Sequence, residues 1–187
     1  MEQFIKNMTE KPETWQRIRS ENVADCKIFK VRRDYSVREN NEKEYTFYCI
    51  ENPDWVNVIP ITTSGEVVLI EQYRHGIEGI TLEIPGGMVD NGEDAKLAAN
   101  RELVEETGYV PRETILLGKC RPNPAIQDNW VYHYLAIDCE KTREVEFDST
   151  EHVVTKLVNL SEIANLIKSG EITHSLVIAA FHWFNLR

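Results

Sequence analysis

Strand-type and helix-type segments are unevenly distributed along this chain of 187 residues, and their order limits the folds that it can adopt. β-Branched and aromatic residues dominate the first half, whereas helical patterns lie in the centre and at the end. This order favours a mixed α/β (α+β) sandwich over a repeated βαβ array. The predicted strands are Cys26–Arg33, Tyr45–Ile50, Trp55–Ile61, Val67–Tyr73, Thr114–Leu117, Trp130–Ile137 and His152–Val158.

Three helices are predicted from apolar periodicity and from residues that begin or end helices. The first covers Glu93–Thr107 and stops at Gly108. Ser161 is predicted to cap the second, Glu162–Ser169. The third covers Thr173–Phe184. The predicted turns and loops between these elements are Arg38–Asn41, Thr63–Gly65, Pro85–Gly87 and Asp90–Gly92.

The composition narrows the classes of function. A net charge of −10 disfavours nucleic acid as a partner, because an acidic surface repels phosphate backbones. The sequence contains no apolar run of about 18 residues, so we expect no membrane span. The polar N-terminus predicts a cytoplasmic protein, and the four cysteines, without metal-site spacing, are expected to be reduced thiols.

The predicted central helix carries an unusual acidic face. Glu102, Glu105 and Glu106 have the spacing i, i+3, i+4, which places them side by side. Such like charges repel by about 0.2–0.5 kcal/mol per pair, and acidic residues in the last turns oppose the helix dipole by about 0.3–1 kcal/mol each. A solvated acidic face is one interpretation, and a site for Mg²⁺ or Mn²⁺ is the other, because hard cations prefer carboxylate oxygens.

The residues around this face favour the second interpretation. The segment resembles the Nudix box, G-x5-E-x7-R-E-U-x-E-E-x-G-U, in which U is bulky and apolar. The resemblance implies an α/β/α sandwich with a mixed sheet and an enzyme that uses Mg²⁺, with Mn²⁺ as the alternative. The matching residues are Gly87, Glu93, Arg101, Glu102, Leu103, Glu105, Glu106, Gly108 and Tyr109.

The resemblance also implies roles within the box. Glu102 and Glu106 are the leading metal ligands and Glu105 is the next, while a backbone carbonyl of the preceding loop, here that of Gly86, completes the set. The family uses the pair equivalent to Glu93 and Arg101 to brace the loop against the helix. Gly86 and Gly87 allow the backbone to approach metal and phosphate closely.

The flanking residues resemble the ADP-ribose pyrophosphatase and nucleotide-sugar branch of this family. Glu71–Arg74 and Leu82–Gly87 precede the box, and Pro124 lies about sixteen residues beyond it. In that branch the N-terminal strands form a small antiparallel sheet that exchanges with a second subunit. The expected organisation is therefore an N-terminal β subdomain, residues 1–52, for dimerisation and contacts to the substrate base, and a Nudix domain, residues 53–187, in a homodimer.

Three residues outside the box are candidates for binding the substrate. Arg74 is expected to contact a phosphate or the ribose, because a guanidinium can bind a phosphate bidentately, although an ordinary exposed strand residue is the alternative. Glu83 is a candidate for a sugar or metal contact. Trp55 is expected either in the core or stacked on a base, and Tyr73 is expected in the core.

The expected reaction is attack by water on one phosphorus of a nucleoside diphosphate sugar, with ADP-ribose giving AMP and ribose 5-phosphate. In the resembling branch the general base lies on a loop after the box. Here Glu151 is the first choice and Glu146 the second, with a solvated acidic loop as the alternative.

Two other functions stay open: hydrolysis of GDP-mannose or another nucleoside diphosphate compound, and a Nudix-fold module that binds its ligand without cleaving it. Motifs of serine hydrolases and P-loop proteins are missing from the sequence.

Overall fold

The computed structural model describes residues 11–145 and 152–187. They divide into two compact units. The first unit holds the described residues up to Asn52 together with Asn123–Asp128, and the second holds Pro53–Pro122 and Asn129–Arg187.

The first unit contains a three-stranded antiparallel sheet in the order β1-β2-β3, formed by β1 (Trp15–Asp25), β2 (Lys30–Arg38) and β3 (Asn41–Glu51). The predicted strand Cys26–Arg33 is wrong in its first half. Cys26–Phe29 form a tight turn instead, closed by a 2.9 Å hydrogen bond from Cys26 N to Phe29 O, with Lys27 at a φ of 67°. The sequence does not predict β1, because its side chains are nearly all exposed and show no apolar alternation.

The second unit is built around a mixed sheet. Its strands are β4 (Trp55–Thr62), β5 (Glu66–Arg74), β6 (Gly79–Glu83), β7 (Gly86–Met88), β8 (Tyr109–Val110), β9 (Glu113–Cys120), β10 (Val131–Lys141) and β11 (Val153–Asn159). Their order is β11-β5-β4-β10-β8, with β6, β7 and β9 paired to β5, β4 and β10. Strands β4 and β10 are parallel, and the other pairs are antiparallel.

Helices cover both faces of this sheet. Helix α1 (Ala95–Thr107) packs on one face, and helices α2 (Ile163–Ser169) and α3 (Ser175–Asn185) pack on the other. The alternation within β4 shows why two cores form: Val58 belongs to the α1 core, and the next residue, Ile59, belongs to the opposite core. The predicted α+β sandwich with a mixed sheet and a small antiparallel sheet is thereby confirmed.

The first residues of α1 and α2 differ from the prediction, and the capping side chains explain the difference. Helix α1 begins at Ala95 because the Asp94 carboxylate accepts hydrogen bonds from the backbone N–H groups of Lys96 and Leu97. Ser161 does not cap α2. Asn159 accepts a bond from the backbone N–H of Ser161 and caps a 3-10 turn, Leu160–Glu162, that precedes α2.

No helix among the described residues combines the length and apolar character needed to cross a membrane. All four cysteines lie in the described part of the chain and are free thiols.

Candidate active site

A pair of glycines places the backbone of β7 directly against β4. Asn57 pairs with Gly86 and Val56 pairs with Gly87. A Cβ on Gly86 would lie 2.3 Å from the Val56 carbonyl oxygen and 2.8 Å from the Asn57 Cα. Because these are backbone atoms, any larger residue would push β7 away from β4. Glycine at this position is therefore a requirement of the fold, and the predicted loop Pro85–Gly87 is partly a strand.

Two carboxylates of α1 face these glycines. The buried Glu106 accepts a 3.0 Å hydrogen bond from the backbone N–H of Gly86 through Oε2. Glu102 lies so close to Gly87 that a Cβ there would be 2.4 Å from its Oε1 atom. The side chains of Glu102 and Glu106 thus meet the Gly86–Gly87 backbone, as their spacing of one helical turn requires.

Arg101 links α1 to the loop that precedes it. Its Nε and Nη2 atoms donate to the two carboxylate oxygens of Glu93 at 3.0 Å each, and Nη2 also donates to the Met88 carbonyl at 3.1 Å. The hydrogen bonds from Arg101 lower the pKa of Glu93. On the helix, Nη1 of Arg101 reaches Glu102 at 2.9 Å and Glu105 at 3.1 Å. Arg101 therefore holds the loop and offsets part of the repulsion along the acidic face.

The donor set fits a divalent cation. Glu102 and Glu106 supply carboxylate oxygens beside a backbone segment in which only glycine leaves room, and oxygen ligands are what Mg²⁺ and Mn²⁺ prefer. Glu105 is more exposed than Glu102 and lies in the ion pair with Arg101. Within residues 11–145 and 152–187, no group of three His, Cys, Asp or Glu side chains converges as a ready metal cluster.

Arg74 and Glu83 form a partly buried ion pair near the end of β5. The guanidinium donates from Nε and Nη2 to the two oxygens of Glu83, both at 2.8 Å. Glu83 is 2% exposed, whereas 43% of the Arg74 side chain is accessible. Burial raises the pKa of Glu83, but the hydrogen bonds from Arg74, His174 and Thr81 outweigh it and hold the pKa below its usual range. Glu83 is thus a charged partner of Arg74, and Arg74 presents the accessible group.

The remaining predicted residues are placed as follows. Trp55 opens β4, is half-buried and pairs with Met88 of β7. Tyr73 is not in the core, contrary to the prediction, because it lies near the end of β5, 50% exposed, in an edge-to-face contact with His75. Glu146 and Glu151 lie outside the described residues.

A buried polar network that the sequence does not predict lies behind Gly86. Asn57 Nδ2 donates to the Leu176 carbonyl of α3 at 3.1 Å, so Asn57 Oδ1 accepts from His133 Nδ1 at 2.7 Å. His133 Nε2 then accepts from the Cys120 thiol at 3.2 Å, and burial raises the pKa of that thiol. The network ties β4, β10 and α3 together and fixes the neutral form of a fully buried histidine.

We expect the stability of the protein to fall in mild acid because of this histidine. Burial lowers the pKa of His133 from 6.5 to about 4. The unfolded chain therefore binds a proton that the folded chain excludes, and the free energy of unfolding decreases as the pH falls from about 6.5 to about 4. The loss reaches about 3 kcal/mol. Urea unfolding at pH 7.0 and pH 4.5 measures it.

His133→Gln should remove this part of the pH dependence, and His182→Gln is the matched control, since His182 is exposed on α3. An equal pH dependence in wild type and His133→Gln would show that His133 is not responsible.

Comparisons with known proteins identify the family of this chain and several similar proteins. The family model described as the NUDIX domain matches residues 52–181. The methanol dehydrogenase activator of Bacillus methanolicus is 30% identical over 91% of this chain and 92% of its own length. The ADP-ribose pyrophosphatase of Bacillus subtilis is 27% identical over 98% of this chain and 96% of its own. The ADP-ribose pyrophosphatase of Mycobacterium tuberculosis is 30% identical over 87% of this chain and 79% of its own length.

The fold is also similar to the crystal structure of an ADP compounds hydrolase, with a TM-score of 0.83 and 22% identity over 95% of both chains. The family match covers α1 and the glycine segment, where Glu102 and Glu106 meet the backbone of Gly86 and Gly87. The chain therefore belongs to the Nudix family and is a Nudix hydrolase.

Proposed function

We propose that this protein hydrolyses the pyrophosphate bond of ADP-ribose or a related nucleoside diphosphate sugar in the presence of Mg²⁺, giving a nucleoside monophosphate and a sugar phosphate. The observation that carries the proposal is the placement of Glu102 and Glu106 against the glycine backbone. The two similar ADP-ribose pyrophosphatases, which align over most of this chain, support the choice of substrate class.

In this proposal the carboxylates of Glu102 and Glu106 and the backbone carbonyl of Gly86 hold the cation. When bound, Mg²⁺ neutralises charge on the phosphates and lowers the pKa of a bound water. Arg101 and Glu93 keep the loop in place through their paired hydrogen bonds. Most of the acceleration then comes from positioning and electrostatics, as in other phosphoryl transfers.

The substrate contacts follow from exposure and charge. Arg74, whose side chain is 43% accessible, binds a phosphate of the substrate through its guanidinium. Trp55 stacks on a ring of the substrate. Water attacks one phosphorus, the bond to the bridging oxygen breaks, and the proton of the water goes to the carboxylate of Glu151.

Two competing functions give different outcomes in the same experiment. A preference for GDP-mannose or another nucleoside diphosphate compound would change the best substrate but keep the products in the same class. A non-catalytic binding module would bind the ligand without product. The similarity to the methanol dehydrogenase activator of Bacillus methanolicus is the observation that favours a binding role as the competing function.

The experiment is a screen of nucleoside diphosphate sugars with Mg²⁺, with each product identified by mass. We expect a nucleoside monophosphate and a sugar phosphate in equal amounts, with ADP-ribose among the best substrates. Binding of ADP-ribose without product would contradict hydrolysis and favour the binding module.

We also propose a homodimer whose interface includes the three-stranded sheet of the first unit. Exposed apolar side chains on a small sheet indicate a surface that is covered in the assembly. We therefore expect a dimeric mass by light scattering at micromolar concentration, and a shift towards monomer in Phe47→Glu. The exposed apolar residues on this sheet are Trp15, Ile18, Val23, Phe47 and Tyr48.

Leu186→Glu, a change at an exposed leucine near the C-terminus, should leave the mass unchanged. A monomeric, fully active wild type would contradict the dimer.

A further inference from the structure

The carboxylate of Glu83 is held by more than its ion pair. Besides the two hydrogen bonds from Arg74, its Oε1 atom accepts from the Thr81 hydroxyl at 2.5 Å, and its Oε2 atom lies 2.7 Å from His174 Nδ1. Each of the two Glu83 oxygens therefore has two hydrogen-bond partners. Since an ionised carboxylate only accepts hydrogen bonds, His174 must carry a hydrogen on Nδ1 and donate it.

His174 occupies a position at which a side chain ordinarily caps the start of a helix. It is the N-cap residue of α3, with φ −67° and ψ 117°, but its side chain makes no capping hydrogen bond. Serine, threonine, aspartate or asparagine at an N-cap normally satisfies a free N–H of the first turn. The imidazole bonds to Glu83 instead, although the two residues are 91 positions apart in the sequence.

The backbone that carries this imidazole is anchored by hydrogen bonds. The His174 carbonyl accepts hydrogen bonds from the N–H groups of Val177 and Ile178, both at 3.1 Å. The adjacent first turn of α3 is tied to β4, because Asn57 donates to the Leu176 carbonyl. His174 thus connects an anchored helix to a carboxylate on β6.

We propose that His174 is a positioning residue that holds Glu83 and, through Glu83, sets the orientation in which Arg74 receives a substrate phosphate. The inference rests on the proposed function, in which Arg74 makes that contact. His174 does not touch the substrate in this account. It restricts rotation of the Glu83 carboxylate, and the bidentate pair passes that restriction to the Arg74 guanidinium.

Two substitutions separate this role from a structural role in capping α3. His174→Ser supplies a good N-cap but cannot reach Glu83. His174→Asn is also a good N-cap and keeps an N–H donor on the atom bonded to Cγ, where Nδ1 lies in histidine. His182→Ser, at an exposed histidine of the same helix, is the matched control.

The test measures kcat and KM for ADP-ribose with Mg²⁺, the dissociation constant of its α,β-methylene analogue by calorimetry, and the melting temperature. For His174→Ser we expect KM and the dissociation constant to rise about tenfold while kcat changes by less than about threefold, because a lost orienting contact weakens binding of substrate and transition state alike. The melting temperature should stay within about 3 °C of wild type, because the better N-cap offsets the lost hydrogen bond to Glu83. His174→Asn and His182→Ser should remain within about twofold of wild type.

The positioning role would be overturned if His174→Ser bound the analogue as tightly as wild type does, or if His174→Asn lost as much affinity as His174→Ser. Either result would leave the proposed function intact. A loss of binding that appears only together with a lower melting temperature would also overturn it. A wild type that neither binds nor hydrolyses ADP-ribose would instead overturn the proposed function, and the assignment of His174 with it.

Discussion

Replacing Glu106 by glutamine should lower turnover by more than about 100-fold at saturating Mg²⁺, because metal assistance is worth several kcal/mol in the transition state. The fold should be preserved. Glutamine has nearly the same shape, and its side-chain oxygen can still accept the hydrogen bond that Glu106 receives from the Gly86 N–H. The substitution therefore removes the charge and leaves the contact. Steady-state kinetics with the best substrate of the screen measures the change.

Glu113→Gln is the matched control, since Glu113 is an exposed glutamate at the start of β9. It should keep the wild-type rate. Mg²⁺ should also raise the melting temperature of wild type more than that of Glu106→Gln, because a ligand stabilises the state that binds it. A Glu106→Gln variant with a near wild-type rate would show that Glu106 does not hold the metal.

Replacing Glu151 by glutamine should lower kcat by about 10²–10⁴-fold, the usual effect of losing a positioned general base. The changes in KM and in Mg²⁺ affinity should be small, because a base that acts in the transition state contributes little to ground-state binding. The reason for a separate base is chemical: carboxylates that bind a metal are poor proton acceptors, so Glu102 and Glu106 are unsuited to the task. Kinetics over a range of pH measures the effect.

The wild-type rate should fall at low pH, and this acidic limb should flatten or shift in Glu151→Gln. Glu146→Gln is the paired variant on the same acidic stretch. If Glu146→Gln loses its rate while Glu151→Gln keeps it, the base is Glu146.

Local sequence signals predict how residues that are close together in the chain are placed in the candidate site. The spacing of Glu102 and Glu106 places both on the face of α1 that meets the glycines, and Gly108 ends the helix with a left-handed φ of 74°, as a C-terminal glycine does. Glu93 and Arg101 lie within the same short segment, so their ion pair could be anticipated from the resemblance to the family.

Partners that meet only after folding could not be predicted in this way. His174 and Glu83 are 91 residues apart, and His133 and Asn57 are 76 residues apart. The residues next to a single histidine in the sequence do not indicate which distant side chain it contacts after folding. The same limit applies to the buried Glu83, whose hydrogen-bond partners Arg74 and His174 lie at the end of β5 and at the start of α3.

The most direct test of the account is to incubate ADP-ribose with the purified protein and Mg²⁺ and to quantify AMP and ribose 5-phosphate, with a parallel sample in EDTA. The account predicts equal amounts of both products with Mg²⁺ and almost none with EDTA. Product formation that is unaffected by EDTA, or the failure of ADP-ribose and every other nucleoside diphosphate sugar to yield a monophosphate, would contradict it.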